Sequence, residues 1–334
     1  MTPELRCSYS TIAAEALLTH VVPSYRIERP LECVFWERGA NDTYRVRCAG
    51  ARYSLRVYRR GAFPRDAIEF EIEVLIHLHR RGVPVAYPIA RASGDYLTEI
   101  AAPEGARLVL LTAFADGAVP DYDAPENARL VGESVARMHR ALDGFGTARE
   151  RARLDLPNLL EDSVALIRPW LAHRPEDLRL VEAHAGKCRS AVQGASDDAL
   201  DTGVCHGDLH GGNLHLHDGG ITHFDFEECA FGYRAYDLAT FKWGVCTGRR
   251  GAERWSAFVE GYESVRPISG ADRSLIDVFV VIRELSNVAF GLRNLRDFGH
   301  GLVGDESLDE LRGRLEDMST LVAGHGGSVS RGGA

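Results

Sequence analysis

Residues 206–225 read HGDLHGGNLHLHDGGITHFD, His206 to Asp225. Asp208 and Asn213 lie in and just after a glycine-rich turn, and Leu214 to His217 then alternates in the manner of a short strand. Asp218-Gly219-Gly220 is a hairpin turn signal, and Ile221 to Asp225 alternates back. With a loop of Asp218 to Gly220, His217 faces Ile221 and, counting outward, Asn213 faces Asp225. Directly opposed side chains on an antiparallel pair lie about 5 Å apart, close enough to share one hard cation. The pattern therefore predicts a Mg²⁺ site with a free carboxylate, Asp208, beside it.

The 334-residue chain is long enough for one large or two moderate lobes. Its formal charge of −9 argues against a nucleic-acid surface, leaves room for a metal-bound nucleotide, and favours a cationic partner or substrate. Seven scattered cysteines with no CxxC pair suit the reduced thiols of a cytoplasm. The start, MTPELRCSYS, lacks the basic region and apolar core of a secretory signal. No run of about 18 uncharged apolar residues is present, so no membrane span is expected. Lys187 and Lys242 are the only lysines, which leaves 37 arginines among the 39 basic residues.

Along the chain, a helix is expected over Thr11–Val22. Strands follow at Glu32–Arg38, Thr43–Cys48 and Arg52–Tyr58, then a helix over Arg65–Arg81 ended by Gly82 and Pro84. Strands return at Ile89–Ala92, Leu97–Ile100 and Leu108–Phe114. A polar link, Ala115–Pro125, leads into an amphipathic helix, Glu126–Leu142. Beyond it, helices are expected at Glu161–Ala172, Leu178–Val192, Ala235–Thr247, Arg254–Val265, Ser274–Arg296 and Leu308–Val322, interrupted only by the hairpin. Residues 1–115 then form a small β-rich lobe, 116–323 a larger helical lobe, and 324–334 a tail too glycine-rich to pack.

His206-Gly207-Asp208-Leu209-His210-Gly211-Gly212-Asn213 with Asp225 downstream resembles the catalytic loop and metal-binding Asp of the aminoglycoside phosphotransferase superfamily. That superfamily also includes choline kinases and type II homoserine kinases. The similarity extends to the β-rich start, the helix at Arg65–Arg81, the link near residue 115 and Tyr236-Asp237-Leu238-Ala239. It implies an α+β, bilobal, protein-kinase-like fold with ATP and Mg²⁺ as cofactors. Phosphoryl transfer needs positioning and charge neutralisation more than covalent chemistry. By the resemblance, Asp208 orients the acceptor hydroxyl and takes its proton, while Asn213 and Asp225 hold Mg²⁺ against the phosphates. His206 is expected to brace the loop backbone, and Asp237 to cap the loop or a helix start. Glu227 stands where kinases carry the glycine of Asp-Phe-Gly; a second ion, a cationic substrate and plain solvent exposure are its open alternatives. Turn and cap duty is the bland alternative for Asp208, Asn213 and Asp225.

Relatives usually carry a phosphate-binding lysine on the third strand. No lysine precedes residue 187, so the cation there can only be arginine, and alignment points to Arg56. Arginine keeps the charge but presents a planar fork. Its partner follows from periodicity: Ile68, Phe70, Ile72, Val74, Leu75, Ile76 and Leu78 cover a broad helical arc that contains Glu71 and leaves Glu69 and Glu73 outside. A carboxylate on a buried face needs a cation. IEFEIEV also alternates with period two, and uninterrupted length favours the helix. Gly39 to Thr43 is read either as a phosphate cover, using backbone N–H groups with Asn41 or Thr43, or as a bare turn. Ala113 and Ala115 are the backbone partners of the nucleobase by similarity alone. Five histidines between His206 and His223 lack the cysteine or acid that would complete a zinc set.

The acceptor expected is a small-molecule hydroxyl compound, because only eleven residues separate Asp225 from Asp237, too few for a long peptide-docking loop. Ser/Thr protein phosphorylation and a nucleotide-binding regulator with little catalysis remain the alternatives. No nucleic-acid or membrane partner is expected.

Overall fold

The computed structural model describes residues 5–195 and 199–323; the tail expected at 324–334 lies outside them. The described chain falls into two compact units that interleave in sequence. Within the described residues, one unit comprises 5–118, 146–151 and 214–227, and the other 119–145, 152–195, 199–213 and 228–323.

The first unit is built on a five-stranded antiparallel sheet. Its strands are β1 (Glu32–Arg38), β2 (Asp42–Arg47), β3 (Arg52–Val57), β4 (Leu97–Ala102) and β5 (Gly105–Ala113), in the order β1-β2-β3-β5-β4. Alternation assigns each face. Leu55 and Val57 of β3 and Val109 and Leu111 of β5 join Leu17 of α1 (Ala14–His20) in one buried cluster. Leu110 of β5 and Tyr58 point to the other face, where Ile68 and Ile72 of α2 (Arg65–Arg80) pack on them. Arg56, between Leu55 and Val57, is thereby turned toward α2. The expected strand Ile89–Ala92 is not part of the sheet; Pro88, next to it, makes one bridge to Thr112 and cannot donate to a ladder.

The hairpin of this unit joins β7 (Leu214–His217) to β8 (Gly220–His223). Its register is one residue off the expected one. His217 pairs with Gly220 and Leu214 with His223, so the loop is Asp218-Gly219 and the count that set Asn213 opposite Asp225 fails. Both loop residues have positive φ, 48° and 76°, the left-handed pair of a type I′ turn, whose twist matches the flanking strands.

The second unit is helical apart from one short sheet that the sequence did not disclose: β6 (Thr202–Cys205) paired antiparallel with β9 (Ala230–Tyr233). Around it lie α3 (Pro125–Ala141), α4 (Asp162–Ile167), α5 (Pro175–Gly194), α6 (Arg234–Val245), α7 (Gly251–Glu263), α8 (Gly270–Arg293), α9 (Leu295–Phe298) and α10 (Asp305–Asp317). The helix expected over Glu161–Ala172 is α4 flanked by a π turn and by a 3₁₀ turn containing Pro169, whose missing N–H breaks the ladder. No helix among the described residues is long and apolar enough to cross a membrane.

Gly219→Ala places a side chain in a left-handed turn position, which costs roughly 1 kcal/mol. The urea midpoint of this variant should fall, and a midpoint equal to the parent's would contradict the two-residue turn.

Candidate active site

The first unit gathers three acids around Arg56. Arg56 Nη2 donates to Asp225 Oδ1 at 2.5 Å and Nη1 to Glu71 Oε1 at 3.3 Å, with Glu227 Oε2 3.5 Å from Nη1. Glu71 is buried, and Tyr58, two residues beyond Arg56 on the same face, donates its hydroxyl to Glu71 Oε2 at 2.9 Å. The helix reading of residues 65–80 thus puts Glu71 inward. Outside, Glu69 and Glu73 meet Arg149 at 2.5 and 3.1 Å. Burial pushes the Glu71 carboxyl above its ordinary range; Arg56 and the Tyr58 hydroxyl pull it back, and the charge of Asp225 adds to the rise.

Glu227 does not face solvent. It accepts from Asn41 Nδ2 at 2.7 Å as well as pairing with Arg56. Asn41 is buried, and its Oδ1 accepts the Arg59 N–H at 2.8 Å, so its amide is committed at both ends to protein. Thr43 is half-buried on β2 opposite Arg56. Asp225 has φ of 64°, a left-handed backbone that a non-glycine residue holds at a cost of about 1–3 kcal/mol. Of the backbone groups expected to meet a nucleobase, the Ala113 N–H donates to Tyr87 C=O at 2.8 Å. The Ala115 carbonyl accepts from His215 Nδ1 at 2.8 Å, which makes that nitrogen the protonated one.

The second unit holds the loop 206–213. Asp237, in the first turn of α6, accepts the His206 N–H at Oδ2 (2.7 Å) and the Gly207 N–H at Oδ1 (2.9 Å). Gly207 has φ of 84°, and a Cβ there would lie 2.2 Å from the Glu228 carbonyl oxygen, so glycine is required twice over. His139 of α3 reaches the same carboxylate through Nε2 at 2.9 Å, and its Nδ1 lies 2.9 Å from the Tyr262 hydroxyl of α7. A carboxylate only accepts, so Nε2 carries the proton and Nδ1 takes the hydroxyl's hydrogen. Burial lowers the His139 pKa below its ordinary 6.5, against the upward pull of Asp237.

Asp208 is partly exposed at 23%. Asn213 Nδ2 donates to its backbone oxygen at 2.9 Å and to Oδ2 at 3.0 Å, and Arg283 Nη2 donates to Oδ1 at 2.6 Å. Both acceptors fix the Asn213 amide with nitrogen toward Asp208, leaving its oxygen for other company. His206 Nδ1 accepts the Asp208 N–H at 3.3 Å. Burial raises the Asp208 pKa, but the charge of Arg283, with His210 and His206, more than offsets it and holds the carboxyl below its usual range.

Tyr58, His139, Tyr262 and Arg283 were not singled out by the sequence, though two left signals. His139 falls on the apolar stripe of its helix with Val131 and Val135. Arg283 interrupts the apolar run Val278–Leu285, VFVVIREL.

A family model described as "Phosphotransferase enzyme family" matches residues 34–268. The chain belongs to this family. An uncharacterised protein of Synechocystis sp. is 35% identical to it, over 78% of this chain and 73% of that protein. A homoserine kinase of Polaromonas naphthalenivorans is 27% identical, over 77% of this chain and 79% of that enzyme. Among solved structures, amicoumacin kinase hAmiN in complex with AMP-PNP, Ca²⁺ and Ami superposes with a TM-score of 0.73. Its identity is 21%, and the match covers 91% of this chain and 94% of that one. The α+β, protein-kinase-like fold implied by the resemblance is the fold of this phosphotransferase chain.

Among the described residues no three His, Cys, Asp or Glu side chains are disposed to hold a metal by themselves. The family's expected pair includes an amide, Asn213. The Asn213 oxygen in the second unit and the Asp225 carboxylate in the first are each a hard donor of the kind Mg²⁺ takes.

Two expectations follow. Between the ordinary and the lowered His139 pKa the unfolded chain binds the extra proton, so stability falls as pH drops below 6.5. Thermal melts from pH 7.5 to 5.5 should show this decline, and His139→Asn should flatten it; an unchanged slope would count against the neutral ring. Arg56→Ala strips the cation from three acids and should cost about 3–5 kcal/mol, partly restored by millimolar MgCl₂. Denaturant titrations with and without Mg²⁺ measure both effects.

Proposed function

We propose that this chain is an ATP- and Mg²⁺-dependent kinase that moves the γ-phosphoryl group to a hydroxyl of a small molecule, of the aminoglycoside, amino-alcohol, homoserine or sugar type. The observation that carries the reading is the Asp208 carboxylate. It is ionised, partly open to solvent and oriented from its own loop by Asn213, while that loop is pinned through Asp237. Family membership and the names of relatives support the phosphotransfer, and the AMP-PNP and Ca²⁺ of the amicoumacin kinase complex support a nucleotide with a divalent ion.

Asp208 accepts the hydroxyl proton as the acceptor oxygen bonds to the γ-phosphorus; the bond from that phosphorus to the bridging oxygen breaks, and ADP leaves with its electron pair. Bound Mg²⁺, with Asn213 and Asp225 as its proposed ligands, would neutralise the phosphate charge. Arg56 takes the place of the usual lysine for the α and β phosphates, positioned by Glu71, itself held by Tyr58. Backbone N–H groups near Thr43 serve as phosphate cover better than the Asn41 side chain, whose amide is engaged. The engaged Ala113 N–H and Ala115 carbonyl weaken the proposed nucleobase contact at those two groups. Seven free cysteines support a reducing, cytoplasmic setting.

ATP turnover across aminoglycosides, amino alcohols, hydroxy acids, sugars and generic protein substrates tests the proposal. Asp208→Ala should lower kcat by about 10²–10⁴ on any acceptor that works. Turnover that survives the substitution would remove Asp208 from its role, and tight Mg²⁺-ATP binding with no turnover on any acceptor would favour a regulator. Arg56→Lys should not tighten ATP binding; a clear gain would mean that the site is not adapted to arginine.

A further inference from the structure

Arg283 enters the second unit from α8 amid apolar neighbours and is 12% exposed. Its guanidinium stands 5.1 Å over the Trp243 ring, and one nitrogen, Nη2, meets Asp208 Oδ1. The Tyr236 hydroxyl is a further contact. Its Nε is buried with no hydrogen-bond partner among the described residues. The next residue, Glu284, is fully buried with a counterion of its own: Trp243 Nε1 donates to its Oε2 at 2.7 Å, and Arg314 Nε lies 2.8 Å from its Oε1. Of these two adjacent charges, the acid has its own counterion, and the arginine has only the acid that the reaction uses.

Arg283 Nη2 is spent on Asp208 and the Tyr236 hydroxyl takes a further contact, yet a guanidinium has five N–H donors and this one is 12% exposed. An incoming anion can pair with the exposed part of the fork beside Asp208. An incoming ammonium does the reverse, meeting like charge beside Asp208.

We propose that the acceptor carries an anionic group close to its reacting hydroxyl and that Arg283 is the residue that selects it. The inference rests on the phosphotransfer reading above. It replaces the cationic acceptor suggested by the overall charge of −9 with the opposite sign locally. With Arg283 Nη2 and Asp208 Oδ1 2.6 Å apart, and ordinary hydrogen bonds at each end, hydroxyl and anion lie within about 8 Å of each other. That span fits a hydroxy acid or hydroxy amino acid of a few carbons, or a short hydroxylated phosphate ester. A planar fork recognises either group.

The test uses matched acceptors on the full-length protein: 4-hydroxybutyrate, 4-hydroxybutanamide and 4-amino-1-butanol, then L-serine and L-homoserine, with glycerol 3-phosphate as the phosphate arm. ADP release is measured for wild type, Arg283→Gln and Arg283→Lys. Binding of each compound is read separately by calorimetry, with circular dichroism confirming that each variant folds. The anionic member should exceed its amide in kcat/KM by roughly 10- to 100-fold. Arg283→Gln should abolish that preference through KM for the anionic compounds, and Arg283→Lys should keep part of it. Amide or amine accepted as well as the carboxylate overturns the proposal. So does an Arg283→Gln variant whose kcat falls equally on every acceptor, since the arginine would then serve Asp208 alone. If nothing is turned over, the phosphotransfer reading fails by itself. Anion binding to wild type that is lost in Arg283→Gln would still support the site, and no anion binding to either protein would reject it.

Discussion

The Asp237 carboxylate sits under the loop that carries Asp208, and the geometry of that loop depends on it. Two consecutive backbone N–H groups, from His206 and Gly207, converge on its two oxygens, and a neutral imidazole donates a third hydrogen bond, to the oxygen that accepts from His206. Three donors on one buried acid keep it ionised, and burial makes each bond stiffer than it would be in water. The left-handed Gly207 can bend the chain sharply only because its N–H is caught in this way. Tyr262 and His139 extend the arrangement into two helices, so the position of Asp208 is set by helix packing as well as by the local turn.

The charges of the two units follow different rules. In the second, Asp208 has a matched cation in Arg283 and Glu284 has Arg314. In the first, Glu71, Asp225 and Glu227 all lie against Arg56, and the charge of Arg151 is also felt at Glu71. A matched pair stores a choice of partner, since either member can be drawn off by a stronger competitor. A guanidinium shared among several acids couples them, so drawing off one disturbs the rest.

Much of the fold could be read in advance because two periodicities point to the same face. Alternation on β3 sets Arg56 against Leu55 and Val57, and the helical arc of residues 65–80 contains Glu71, so each predicts the other's partner. The hairpin register is ambiguous in sequence because Asp-Gly-Gly offers both a three-residue loop and a two-residue type I′ turn, and strand twist decides between them. Strands β6 and β9 have four residues each, too few for a period to show. Asp208 and Asn213 could be read as a pair from their loop, whereas Arg283 lies seventy-five residues downstream of Asp208. Only tertiary structure brings a residue that distant to this carboxylate.

The arginine at position 56 also changes how this chain would respond to chemistry from outside. Reagents that mark nucleotide sites by acylating an amine, or by forming an imine with one, need a lysine beside the phosphates. The first unit contains none: Lys187 lies on α5, and Lys242 is tied to Asp277 and set over the Trp255 ring. With Arg56 in its proposed phosphate-binding role, chemical surveys that recognise kinases through such a lysine would pass over this protein, and the side chain at that position would answer to arginine-directed dicarbonyls instead.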